Sequence, residues 1–210
     1  MRVKSFPEFF ATYKIYEIVM DVLKKNLREK DAKLVITDLV NQDAKPNDFL
    51  KKLALVLKKH THPTKASNIL MKIKERLKEL LDVEIEPREI ILTKNGKAVL
   101  KVRVANRTEA MLKIRVGVEQ IGRKYTAIIY DPAKSFGHTK VIKSQIVEAG
   151  KVGVFKFIIK PDIFGIQDIY ELNKNKELSI TLGIQAEADG IDGLKTSVMK
   201  VPVKIVKVKI

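Results

Sequence analysis

Three histidines, His60, His62 and His138, are the only imidazoles in the chain. Two His one residue apart, as at His60 and His62, can share a metal in an extended segment, but a tetrahedral site needs further ligands. The chain has no cysteine to supply them, so the pair reads as part of a polar interhelical turn. The segment from Asp131 through Ser135 to His138 holds the ingredients of nucleophilic catalysis. It lacks the glycines of a nucleophile elbow and reads as a long connection between strands. Asp189-Gly190-Ile191-Asp192-Gly193 resembles a calcium loop without the run of carboxylates or the closing Glu, and reads as a hairpin loop. Gly117 and Gly122 lie in or at the end of a strand, not before a helix, so no phosphate-cradling loop is expected. No catalytic residue, metal or cofactor is assigned, and a non-enzymatic protein is expected.

Charge is the sharper signal. Forty-one Lys and Arg oppose 25 Asp and Glu, a formal net charge of +16. A bias toward Lys, Glu, Ile and Val, with five Gln and no Cys, fits a thermophilic, archaeal-like composition and accounts for part of that charge. The remainder is unevenly spread. Residues 1–44 carry eight basic and seven acidic groups, while residues 45–81 carry ten basic and three acidic. On a helix, Lys51, Lys52, Lys58 and Lys59 fall on one arc, opposite Leu53 and Leu57. Lys72 and Arg76 repeat the theme on the next helix. Like charges on one face repel unless something acidic meets them. The face therefore offers contact to phosphates or to an acidic protein surface. It carries no Arg, Asn or Gln placed to read bases.

The elements that must position these residues fall into two parts. Up to Asp82 the apolar residues recur at helical spacing, and beyond it they alternate with period two. Ser5 and Glu8 make a capping box with Pro7 in the first turn, and a first helix is expected to near Glu29. Its seam of Phe9, Tyr13, Tyr16, Met20, Leu23 and Leu27, beside a second ridge, is wide enough to seek a copy of itself. Asp31 is expected to cap a second helix to Val40, Asn47 or Asp48 a third to His60, and Thr64 or Ser67 a fourth to Leu81. From residue 83 onward seven to nine strands are expected at roughly ten-residue spacing, with Asn95-Gly96 and Asp192-Gly193 as hairpin turns. A phase change near residue 205, from Ile205 to Val206, Val208 and Ile210, suggests a bulge. The expected fold is α+β in two segregated parts: a four-helix domain over 1–82, then an antiparallel β-sandwich over 83–210 with no helix between strands.

The run Val83 to Thr108 resembles the opening of many immunoglobulin-like adhesion and binding modules. The resemblance rests on Pro87, Gly96 and the corner Val104-Ala105-Asn106-Arg107-Thr108. It implies an immunoglobulin-like fold and assigns no site. Pro161 to Lys176 is an apolar connection too long for a hairpin. Its Ile163, Phe164 and Ile166 can plug one end of the sandwich or dock a partner. No apolar stretch approaches the ~18 residues needed to span a bilayer. Glu17 and Asp21 break the candidate core of a signal peptide, so a soluble, cytoplasmic protein is expected. The expected function is binding or assembly, with the helices self-associating into a homo-oligomer and the sandwich meeting a protein partner. The alternative is a non-specific nucleic-acid binder using the third and fourth helices.

Overall fold

The computed structural model describes residues 6–122, 126–131 and 136–207. Ser5, Ser135, Val208 and Ile210 lie outside them. Four helices come first: α1 (Tyr13–Asn26), α2 (Glu29–Asn41), α3 (Phe49–His60) and α4 (Pro63–Lys78). The change from helix to strand falls between Lys78 and Leu81.

The first helix begins later than its sequence suggests. Pro7 precedes a 3₁₀ turn over Glu8–Phe10, Ala11 takes φ +60°, and Thr12 caps α1 by accepting the Ile15 N–H at 3.2 Å. Aromatic burial decides this: Phe10 folds back so that its ring meets Phe49 at 5.8 Å and Tyr16 at 5.4 Å. Arg28, not Asp31, sits at the N-terminus of α2, and Asp31 in its first turn pairs with that guanidinium at 2.9 Å. α4 starts at Pro63, where the missing N–H is harmless. His62 accepts the Thr64 N–H there, so one of the two clustered histidines is a helix cap.

Ten strands follow: β1 (Leu81–Glu86), β2 (Ile90–Thr93), β3 (Ala98–Asn106), β4 (Leu112–Ile121), β5 (Thr126–Asp131), β6 (Phe136–His138), β7 (Lys140–Val147), β8 (Val152–Ile163), β9 (Glu177–Ala188) and β10 (Met199–Val206). They form two five-stranded sheets, β1-β3-β8-β5-β6 and β2-β10-β9-β4-β7. Alternation drives Leu100, Val102 and Val104 of β3 and Ile114, Val116 and Val118 of β4 to zero exposure. One continuous cluster of buried apolar side chains joins the helices to both sheets.

Four expectations are corrected. Asn95-Gly96 is a turn, with the Gly96 N–H on Thr93 O at 2.9 Å, but it joins strands of different sheets and is no hairpin. β2 pairs with β10 in parallel, so the sheets are not wholly antiparallel. β10 pairs with β9 without a shift from Met199 to Val206, and the one register shift recorded in the described strands lies between Ala127 and Ile129. A fifth helix, α5 (Ile166–Asn175), stands between β8 and β9.

Helices and sheets are tied at two places. Asp192, in the β9–β10 loop, accepts the Lys51 N–H at 3.2 Å and donates its own N–H to Pro46 O at 2.7 Å. The Glu109 carboxylate accepts the Tyr13 and Lys14 N–H groups, and the Arg107 N–H donates to Leu80 O at 2.9 Å. Asn106 holds the second place from within. Its fully buried amide donates to the carbonyls of Ala110 at 2.7 Å, Val147 at 3.1 Å and Glu148 at 3.2 Å. Its Oδ1 accepts from the Thr108 N–H at 3.0 Å and hydroxyl at 2.7 Å.

Asn106→Ala strands those carbonyls in the core and is expected to cost about 3 kcal/mol, or roughly 10 °C in Tm. Asn106→Asp should cost at least as much despite its shape, because a carboxylate cannot donate to them; thermal melts of both variants check this. Gly190 and Gly193 both have positive φ, near +79° and +77°. A Cβ at Gly190 meets open space, whereas one at Gly193 comes within 2.0 Å of Leu50 on α3. Gly190→Ala should lose only the conformational term of about 1 kcal/mol, and Gly193→Ala clearly more in the same denaturant titration.

Candidate functional site

The basic residues divide by the partners they meet. The Lys52 ammonium is turned inward along α3. It donates to Gln42 O at 3.1 Å and Asp43 O at 2.9 Å, the carbonyls ending α2, and pairs with Asp48 at 2.9 Å. Asp48 also accepts the Lys45 N–H at 2.8 Å. That backbone bond first, and Lys52 second, hold its carboxyl below the usual carboxylate range. Lys72 donates to Asn26 on α1 at 2.8 Å, and Arg76 pairs with Asp21 on α1. Lys25 and then Arg76 hold the Asp21 carboxyl low. Lys25, Asn26, Lys72 and Arg76 line a groove of about 390 Å³ between α1 and α4, together with Val22 and Met71. Lys51, Lys58 and Lys59 remain exposed, and among the described residues their ammonium groups meet no acidic partner. Leu55, 52% exposed, falls within their arc on α3. Of the six basic residues singled out by spacing, three thus form one open face and three brace the bundle.

The helices leave little apolar surface on α1. Ile15, Ile18, Val19, Val22 and Leu23 are buried, Tyr13, Tyr16 and Met20 are half-buried, and α1 has no exposed large apolar residue. Of the seam expected to meet a second copy, Phe9 and Leu23 are buried and Tyr13, Tyr16, Met20 and Leu27 half-buried, with Tyr16 against the rings of Phe6 and Phe10.

The connection after β8 is different. Ile163 packs half-buried on the core, and α5 turns Leu172 onto it. Gly165, buried, precedes the helix and accepts the Ile169 N–H at 3.0 Å. Asp168 and Leu172, one turn apart, face inward at 4% exposure each. The helix ends at Lys176 in the left-handed conformation, whose carbonyl accepts the Lys207 N–H at 3.0 Å just past β10. The other face is open: Ile166 is 87% exposed, Tyr170 61% and Ile169 37%, and Phe164, just before the helix, is 60% exposed. Lys174 lies 5.8 Å from the Tyr170 ring centroid, a cation over an aromatic face. The sequence placed Ile163, Phe164 and Ile166 together; of the three only Ile163 packs on the core, while Phe164 and Ile166 are exposed.

Two chemical candidates take structural roles. His60 pairs with Asp38 at 2.8 Å, linking α3 to α2. Asp189 is bound by Lys113 at 2.9 Å and Arg115 at 3.4 Å, the Lys113 bond being the larger cause of its lowered pKa. Among the described residues no three of His, Asp and Glu come together in a metal-holding group.

Sequence reasoning missed a groove of about 420 Å³ on the outer face of the second sheet. Gly117 and Gly183 on adjacent strands form its floor, and Ile121, Ile142 and Val198 rise beside them. Glycine inside a strand, away from any turn, was the available signal.

No protein-family model matches the chain, and no curated protein matches it. Among solved structures, a FixG-related protein from Vibrio parahaemolyticus aligns with 60% of this chain and 94% of its own, at 10% identity and TM-score 0.32. A type I cohesin–dockerin complex from Clostridium thermocellum aligns over 61% and 95%, at 11% identity and TM-score 0.37. A family 123 glycoside hydrolase from Clostridium perfringens aligns over 62% of this chain and 28% of its own, at 8% identity and TM-score 0.37.

The division of the lysines is testable by stability alone. Lys52→Ala should lose about 1–2 kcal/mol, since it removes a charged donor from two carbonyls. The pair Lys58→Gln and Lys59→Gln should melt within roughly 0.5 kcal/mol of the wild type.

Proposed function

We propose that the chain is a non-enzymatic assembly protein that binds a protein partner through its sheet-containing part. In this reading residues 1–82 are a helical support and residues 83–210 an immunoglobulin-like sandwich. The observation that carries the proposal is the open face of α5. Ile166, Ile169 and Tyr170 expose large apolar side chains on one short helix, with Phe164 exposed just before it, while Leu172 and Asp168 face the core. Exposed apolar side chains gathered in one place mark interaction surfaces, and aromatic anchors on a rigid element are what such surfaces use. A held helix loses little entropy on docking, so the contact area translates well into affinity.

A second reading is favoured by Lys51, Lys58 and Lys59, whose charges are unmet among the described residues. Three phosphate contacts give a salt slope of about −3 on duplex DNA with little sequence preference, since Lys reads no base edges.

One comparison separates the readings. The wild type, the double variant Phe164→Ser/Ile166→Ser and the triple variant Lys51→Gln/Lys58→Gln/Lys59→Gln are used as bait in lysate, with and without nuclease. Protein capture that survives nuclease and is lost in the Phe164/Ile166 variant supports the assembly reading. Capture abolished by nuclease and by the Lys variant, with a flattened salt slope, replaces it with the nucleic-acid reading. Both variants change exposed residues and should melt near the wild type.

A further inference from the structure

The two sheets present four edges, and three of them are guarded. β6 has three residues and β2 four, too short to template another strand. β1 is longer, but Asp82, Glu84 and Glu86 stand exposed along one of its faces, so another copy would meet carboxylate with carboxylate. The fourth edge, β7, is eight residues long and pairs with β4 along its whole length without a shift. Among the described residues no strand lies against its other side. Its outward face carries Lys140, Ile142, Ser144 and Ile146, with Ile142 58% and Ile146 62% exposed. Lys143 points the other way. Its ammonium lies over the Phe157 ring at 5.3 Å and donates to Lys156 O at 2.6 Å, sealing the gap toward β8 and leaving the outward face of the edge clear. A long edge strand with exposed isoleucines is a template for strand addition.

We propose that β7 pairs antiparallel with β7 of a second copy of this chain, about a two-fold axis through Ser144, joining two five-stranded sheets into one of ten. The register follows from the side chains. Facing residues in a continuous sheet must lie on the same face, so the axis passes through a residue and not between two. An axis at Lys143 sets two ammonium groups against each other. An axis at Gln145 sets Ile142 against Glu148 and Lys143 against Val147, and one at Ile142 shortens the overlap and sets Val141 against Lys143. An axis at Ser144 alone matches like with like. Ile142 faces Ile146, Val141 faces Val147, Lys143 faces Gln145, and Lys140 faces Glu148, each twice by symmetry. Apolar cross-strand pairs and opposite charges are the contacts that stabilise paired strands. Lys140 already pairs with Glu119 on β4 at 3.0 Å, so Glu148 of the second copy would extend an existing ion pair. This surface lies two strands from β9, on which α5 packs, and does not rest on the α5 proposal.

The chain has no cysteine, which makes the axis directly testable. With Ser144→Cys, the two sulfurs of the pair face each other across the axis. Under mild oxidation this variant should form a reductant-sensitive dimer about tenfold faster than Ser67→Cys, an exposed control on α4. In sedimentation the wild type should dimerise at micromolar concentration. Glu148→Lys sets like charges opposite Lys140 twice and should raise the dimer Kd about tenfold. Ile142→Asp should abolish the dimer, and both of these variants should keep the wild-type Tm, since both residues are exposed. A wild type still monomeric at about 100 µM overturns the proposal. So does Ser144→Cys coupling no faster than the control, or a dimer that Ile142→Asp and Glu148→Lys leave unchanged.

Discussion

One buried amide closes the corner on which the two sheets and the helices converge. The chain leaves the first sheet at the end of β3 and enters the second at β4; it leaves the second at β7 and returns to the first at β8. Both crossings occur beside Asn106. Its side chain binds the carbonyls of Val147 and Glu148 from one crossing and the turn of Thr108 and Ala110 from the other. Its backbone donates to Lys151 O and accepts from the Gly150 N–H, both at 2.9 Å. The next residue, Arg107, reaches Leu80 at the end of the helical part. A buried polar network of this kind is costly when incomplete and orienting when complete, so it fixes how the layers meet where apolar contact alone would allow sliding.

Much of the architecture was legible because side-chain period is a local property. The switch near residue 82, the faces of β3, β4, β8, β9 and β10, and the presence of four early helices all follow from spacing. What the sequence hid was decided by partners distant in the chain. Asn95-Gly96 has sound turn chemistry, yet the strands it joins pair elsewhere, because β2 finds β10. The capping signal at Glu8 was outweighed by Phe10 reaching Phe49. The apolar residues between Pro161 and Lys176 could plug the sandwich or face a partner by composition, and only the fold shows that Leu172 takes the inward place and leaves Phe164, Ile166 and Tyr170 outside.

The basic face illustrates the same limit for function. A helical wheel puts four lysines together but cannot tell a solvated ammonium from one bound by carbonyls. Lys52 lies just past the end of α2, on the carbonyls of Gln42 and Asp43, a place where a cation is electrostatically favoured. Lys72 and Arg76 lie where α1 offers Asn26 and Asp21. Part of the basic excess of residues 45–81 is therefore cement between helices. The net charge available to a polyanion is correspondingly smaller than the composition implies.

The parallel contact between β2 and β10 bears on how the chain is made. β2 leaves the ribosome more than a hundred residues ahead of β10, the strand it pairs with. At about 5–20 residues per second, Ile90 and Leu92 wait roughly 5–25 s for Val203 and Ile205 to emerge. The helical part, whose contacts are local, has time to close before then. Leu50, Leu77 and Leu80, made earlier still, belong to the same buried core. The order of synthesis thus leaves the apolar side chains of β2 without their strand partner throughout that interval.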